Sequence, residues 1–546
     1  MYAGDIQRIN LSTSSFEKLI TDGCLYVDKT RFIEHFLQEC SDVQLIARQR
    51  RLGKSLNMDM LKCFLTDQKD CKHLFMDLYI KDSPVWNEAN SSPVFLFDFK
   101  SFNVSNYQEQ IKHIIDAYSA RYRNDPRCPD YLTQIYREWG ENSGKNPDGL
   151  KHLTEIVYTV TGKTSYILID EYDKLLMDIT GTEKYAEVRN YLTQFLSAGL
   201  KGNQYLKKAL LTGVTRISYE GLLSGLNNIV IFDTFTDNLY VEDYGLTEDE
   251  TRELADAAGF DLNEARRWYN GIKINGRAIY NTYGVMSLIR NKKFGCYWGN
   301  TVMMKLIADN MNANQKRVLI NLLNPGVTQE VNIEDRISPE QLYKNSPDDM
   351  FYSLLAQAGY LSLEQWDMGK GVVTIPNAEL AEVWRRFLLS DFFRKTSDIN
   401  RVLVNMYAPE AFAADMEGFI TPVLEALSYY DLPKKMYADG QARTPEIHYH
   451  LLLCGILYAY KQDLKYTAIR SNRESGDGRY DITLEFEDKA IIFEVKSAAE
   501  GEDMEAAAKS AVNQIIQKRY GADIEMPVFK IGCSFCGKRC KIVGKQ

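Results

Sequence analysis

The segment that most restricts the fold is Val43-Gln44-Leu45-Ile46-Ala47, followed by Arg48-Gln49-Arg50-Arg51-Leu52-Gly53-Lys54-Ser55 and the stretch Leu56–Leu65. A short, continuously apolar run is a strand buried on both faces, and the residues after Ser55 have helical spacing. A strand that turns directly into a helix aims the first backbone N–H groups of that helix above the sheet, the arrangement that holds phosphate. The usual loop of this kind reads G-x-x-x-x-G-K-[ST], and its first glycine position is here Arg48. The end, Gly53-Lys54-Ser55, is intact. Lys54 is therefore expected to reach the β- and γ-phosphates of ATP, and the Ser55 hydroxyl to ligate Mg²⁺. Arg48, Arg50 and Arg51 are expected to bind phosphate bidentately in place of the lost backbone donors.

Three further runs have the same character: Pro93–Phe99, Ser165–Asp170 and Lys208–Val214. They alternate with helix-like segments over residues 1–235, the pattern of a doubly wound α/β domain. The run Ile167-Leu168-Ile169 ends in Asp170-Glu171. Asp170 is expected to hold the Mg²⁺ bound by Ser55, and Glu171 to orient and deprotonate an attacking water. Between these two strands, the strand ending Thr212-Gly213-Val214-Thr215-Arg216-Ile217-Ser218 offers Thr212 as a sensor of the γ-phosphate, with Thr215 next. Arg216 is either a charge-stabilising arginine or half of a surface salt bridge. The polar stretch Asn124–Pro147 is expected to loop or fray.

With 546 residues the chain exceeds what one hydrophobic core can organise. Four divisions are expected: a P-loop domain at 1–235, a helical lid at 236–330, a helical, winged-helix-like region at 331–432, and an α/β domain at 433–546. Thr247-Glu248-Asp249-Glu250 is a capping-box signature within the lid. Gly359–Leu363 and Gly371–Pro376 are expected to be two short strands following helices. A helix from near Pro409 through Tyr430 and a hinge at Pro433–Pro445 follow. The net charge of −9 argues against a generally basic nucleic-acid coat but permits a local basic groove. There is no signal-like start and no apolar run of ~20 residues. Ten scattered cysteines do not make a disulfide framework, so a reducing cytoplasm is expected. Cys533, Cys536 and Cys540 lack a fourth ligand at zinc-site spacing and are expected to be structural.

The last hundred residues carry a second chemistry. Gly478–Leu484 is a strand, Glu485–Lys489 a turn and Ala490–Lys496 the returning strand. Asp481 then lies near Glu494 and Lys496, which share one side of their strand. Two carboxylates and the Val495 carbonyl suit Mg²⁺, and Lys496 suits a water beside a scissile phosphate. Glu446, opening a helix, is a further acid for this site, and Gln514 a supporting amide. His448 and His450 are expected on the helix surface or in its packing rather than as ligands.

Arg48–Ser55, Ile167–Asp173 and Thr212–Ser218 together resemble the bacterial AAA-ATPase-like family, whose loop typically reads Arg-Pro-Arg-Arg-Phe-Gly-Lys-Ser. Gln49 and Leu52 depart from that pattern without touching Gly-Lys-Ser. Phe16, Tyr26–Thr30, Trp268–Gly271 and Ile279–Asn281 also fit the resemblance. Ser471–Asp481 resembles the PD-(D/E)XK nuclease domain often fused to that ATPase. The resemblance implies an AAA-like P-loop NTPase fold and a restriction-endonuclease-like α/β fold. It further implies nucleotide binding and a nuclease-like end. The two sites read together lead to the expectation of an ATPase controlling an Mg²⁺-dependent nuclease that acts on nucleic acid, DNA being the expected substrate, in a chain compatible with homo-oligomerisation. The alternative is a nucleotide-dependent switch or scaffold whose nuclease-like domain binds without cleaving.

Overall fold

The computed structural model describes residues 2–545 apart from 142–146, 218–221, 224, 298–310, 325, 343–346, 368, 385–386, 389–401, 403–404, 427–434, 437–441 and 460–463. Two compact units are present, Met1–Trp384 and Arg385–Gln546.

The first unit is built on five parallel strands: β1 (Val43–Ala47), β2 (Val94–Asp98), β3 (Ser165–Asp170), β4 (Leu206–Gly213) and β5 (Ile229–Phe232). Their order is β2-β3-β4-β1-β5. Each of the four apolar runs in the sequence is one of these strands. Val43, Leu45, Phe95, Phe97, Ile167, Ile169, Ala209 and Leu211 share one core, packed by helices Tyr107–Arg123, Gly149–Thr161 and Tyr185–Leu200. The alternate residues Ile46, Leu168 and Leu210 are equally buried, which is why the strands are apolar throughout rather than alternating. The stretch expected to loop contains a helix, Asp130–Glu141. Its Leu132 enters the same core and Ile135 packs beside it, so two apolar anchors hold a segment of polar composition.

Helices Glu248–Ala258, Leu262–Tyr269 and Thr282–Asn291 follow, with both reciprocal bonds of the capping box formed between Thr247 and Glu250. A hairpin, Ser362–Asp367 with Lys370–Thr374, pairs with Gln329–Asn332 into a three-stranded sheet beside helix Asp348–Ala358. This is the winged-helix-like element. It packs within the first unit, so the expected divisions near 236 and 331 fall inside one compact body.

The second unit contains β6 (Ala468–Ser475), β7 (Gly478–Glu485), β8 (Ala490–Ser497), β9 (Val528–Cys536) and β10 (Arg539–Lys545), side by side in that order. Only β8 and β9 are parallel, and the helix Met504–Gln517 makes the crossover that parallel pairing requires. Helix Pro409–Ala426 belongs here, not to a preceding linker: Phe412, Met416, Phe419 and Ile420 lie in one core with Phe493, Ile531 and Ile542. The domain therefore starts well before the expected boundary at 433. Much of the expected hinge at Pro433–Pro445, and the end of the helix expected to reach Tyr430, lie outside the described residues.

Candidate active sites

The first site lies where β1, β3 and β4 end. Gly53 caps helix α1 (Lys54–Leu65) with φ 93°, a left-handed conformation that costs glycine little and other residues more. Lys54 Nζ donates to the carbonyls of Arg48 (2.9 Å) and Gln49 (3.0 Å), so the cation is folded back over its own loop. Burial lowers the Lys54 pKa, with Glu171, Asp170 and Asp173 opposing. Ser55 Oγ donates to Asp170 Oδ2 at 2.6 Å, and the Thr212 hydroxyl donates to Oδ1 of the same carboxylate. Because β4 lies between β1 and β3, one carboxylate gathers groups from all three strand ends. Glu171 has φ 57°, outside the comfortable range for its residue type, as is common where structure serves a site. Burial pushes its carboxyl upward, and Lys54 is the chief opposing influence.

The three arginines have separate surroundings. Arg48 is a correction to the expectation: it is fully buried, paired with Asp237, and donates to the carbonyls of Ala47 (2.9 Å) and Phe232 (3.1 Å). A buried guanidinium requires a carboxylate, and that need, not phosphate, occupies it. Burial lowers its pKa to about 10. The Arg51 guanidinium lies 3.8 Å from the centre of the Tyr283 ring, a cation–π contact. Arg50 has no hydrogen-bond or ion-pair partner among the described residues and acts electrostatically on both Lys54 and Glu171.

Asp173 was not singled out by the sequence. Its Oδ2 accepts Val214 N (3.0 Å), Thr215 N (2.8 Å) and Thr215 Oγ (2.7 Å), which clamps the end of β4 and occupies Thr215. A Cβ on Gly213 would stand 2.6 Å from Asp173 Oδ1. The available signal was an acid two residues beyond Glu171, placed to satisfy backbone N–H groups that a strand end leaves free. Arg216 pairs with Asp233 (2.7 Å) and Asp335 (2.8 Å) and is largely buried, so it is a salt-bridge residue but not a surface one. Ser218 lies outside the described residues.

A cleft of about 510 Å³ opens beside this site, lined by Lys29, Arg31, His35, Glu242, Asp243 and Glu250 among others, and by none of Arg48–Ser55. Asn57 of α1 donates to the Asp243 carbonyl (2.9 Å), and Gly245 N to the Leu52 carbonyl (2.9 Å), so the cleft wall is tied to the loop.

The second site lies in the smaller unit. The β7–β8 ladder runs from Glu485↔Ala490 to Ile482↔Phe493 and then stops. Beyond it Asp481 Oδ2 accepts the Val495 N–H at 2.7 Å, a side chain standing in for a ladder bond. Glu494 is 3% exposed; its Oε1 accepts from Lys496 Nζ (3.2 Å) and from Gln514 Nε2. Its Oε2 is buried without a hydrogen-bond partner. Burial, then the Asp481 charge, pushes the Glu494 carboxyl up to about 7. An orphan oxygen on a buried acid beside a second acid is costly unless a proton or cation meets it, and an all-oxygen donor pair suits Mg²⁺. Glu446 Oε1 accepts Ser497 N at 3.3 Å, and its charge also acts on Glu494. His450 is buried and faces Asp481, closer to the chemistry than its sequence context suggested. Cys533 and Cys540 are buried in apolar surroundings, and no cluster of three or more metal-ligating side chains occurs among the described residues.

Residues 10–223 match the family model of predicted AAA-ATPases, and residues 444–545 match the PD-(D/E)XK nuclease superfamily. The chain thus carries a predicted-AAA-ATPase domain followed by a PD-(D/E)XK nuclease-superfamily domain. It is similar along its length to the uncharacterized protein in the vnfD 5' region of Azotobacter chroococcum mcd 1, with 24% identity over 549 residues and 98% of each chain covered. The Walker-type ATPase paby2304 of Pyrococcus abyssi aligns with 65% of this chain and 94% of its own, at 17% identity and a TM-score of 0.32. Among the described residues no helix is long and apolar enough to cross a membrane.

Proposed function

We propose that the chain is an ATP-binding protein, and an ATPase, that controls a Mg²⁺-dependent nuclease acting on nucleic acid. The nucleotide half is supported above all by Asp170, which receives both Ser55 and Thr212 across three strand ends. Lys54 and Arg50 bind the β/γ-phosphates, and Gly53 presents the first N–H groups of α1 to them. Ser55 and Asp170 hold Mg²⁺, whose charge neutralises the phosphates. Glu171, whose ionised form the Lys54 charge favours, orients the attacking water and takes its proton, and Thr212 reports the γ-phosphate to β4. Arg51 acts from its stack on Tyr283.

The nuclease half is supported by the unpartnered Oε2 of Glu494 beside Asp481. These two carboxylates hold Mg²⁺, which supplies Lewis-acid stabilisation of the scissile phosphate. Lys496 positions the water, and Gln514 fixes the Glu494 rotamer. ATP turnover and nicking of DNA and RNA, measured together on wild type, Lys54→Ala and Lys496→Ala, test the scheme. Lys54→Ala is expected to lose turnover and ATP control of nicking, and Lys496→Ala to lose nicking alone. Nucleotide-sensitive partner binding with no cleavage in Mg²⁺ or Mn²⁺ would establish the switch or scaffold instead.

A further inference from the structure

His450 lies on helix α2 (Glu446–Ala459) and is 4% exposed, closed to solvent but lined by polar groups. Its Nε2 is 2.7 Å from Ser471 Oγ on β6, and its Nδ1 is 3.6 Å from Asp481 Oδ1 on β7. The other Asp481 oxygen is held by the Val495 N–H. With the serine hydroxyl donating to Nε2, the ring proton sits on Nδ1, toward Asp481.

We propose that His450 is a positioning residue for Asp481. A carboxylate tied through one oxygen still swings about that bond, and a dipole fixed opposite its second oxygen sets its plane. The 3.6 Å separation is an electrostatic contact rather than a direct hydrogen bond. Burial keeps the imidazole from reaching substrate or bulk water, so it acts through Asp481. Such outer groups commonly govern metal affinity. The inference rests on Asp481 being a metal ligand.

The test uses the full chain without nucleotide and follows free Mn²⁺ by electron paramagnetic resonance during titration. Wild type is expected to show a site that Asp481→Asn weakens. His450→Ala is expected to weaken the same site about 10–100-fold. His450→Asn, which retains a donor near the Nδ1 position, is expected to recover most of that loss. Ser471→Ala leaves the helix packing intact but frees the tautomer, so it is expected to give a smaller loss, and it carries the test should His450→Ala fail to fold. Wild-type affinity in Ser471→Ala and His450→Ala overturns the proposal, as does a His450→Ala loss that His450→Asn does not recover. A wild type whose Mn²⁺ binding ignores Asp481→Asn removes the metal site itself, and the role of His450 with it.

Discussion

Within one loop, three like residues do three different things. Arg48 and Asp237 are both fully buried, so removing one partner leaves the other as an uncompensated buried charge. Arg48→Ala is expected to destabilise the larger unit by ~3–5 kcal/mol, seen as a lowered melting temperature. Arg50→Ala is expected to leave melting nearly unchanged and to weaken ATP binding, read by equilibrium titration. A melting loss in Arg50→Ala equal to that in Arg48→Ala would show that the two are not distinct. The sequence made the placement of Gly53, Lys54, Ser55 and Asp170 legible, because each position is fixed by a local strand-to-helix or strand-end pattern. It misplaced Arg48 because guanidinium suits phosphate and carboxylate alike, and the deciding partner lies 189 residues away. His450 was underrated for a similar reason: its neighbours come from two other elements.

Among the elements, four of the five parallel strands were legible because burial on both faces leaves a continuous apolar signature, whereas β5, with Val230 exposed, was not singled out. The helix Asp130–Glu141 was not, since its place is set by Leu132 and Ile135 packing on distant residues. Helix Pro409–Ala426 was assigned to the wrong body because helical periodicity does not say what a helix packs against. Its closeness to β10 is testable: a Cβ on Gly544 would stand 2.0 Å from the Pro409 carbonyl oxygen. Gly544→Ala is expected to destabilise the smaller unit by ~1–3 kcal/mol, measured by thermal denaturation. The cleft wall makes a pH prediction. The hydrogen bond that His35 Nδ1 donates to Asp243 at 2.7 Å raises the His35 pKa above 6.5, while burial pushes the Asp243 carboxyl upward against it. A raised histidine binds its proton more tightly when folded. Its stabilisation is complete below about pH 6.5 and is lost as pH rises through the folded value. Melting temperature should therefore fall over that window, and His35→Gln should flatten the fall.

The described residues form two compact units, and each has hydrophobic cores of its own. Calorimetry is accordingly expected to show two unfolding transitions. ATP with Mg²⁺ at a hundred times its Kd adds about 2.7 kcal/mol to whatever body binds it. Only the transition of the larger unit should rise, and Lys54→Ala should abolish the rise. A shift of both transitions, or of neither, would contradict the assignment of the nucleotide site to that unit.

The Asp481 side chain also stitches a seam, since its Oδ2 replaces a rung that β7 and β8 no longer share. Deleting that carboxylate would therefore unpick the end of the β7–β8 pairing as well as empty a ligand position. Loss of cleavage in Asp481→Ala would report a frayed hem as readily as a missing metal. Asparagine keeps an oxygen for the Val495 N–H, so it separates the chemistry of this acid from its needlework.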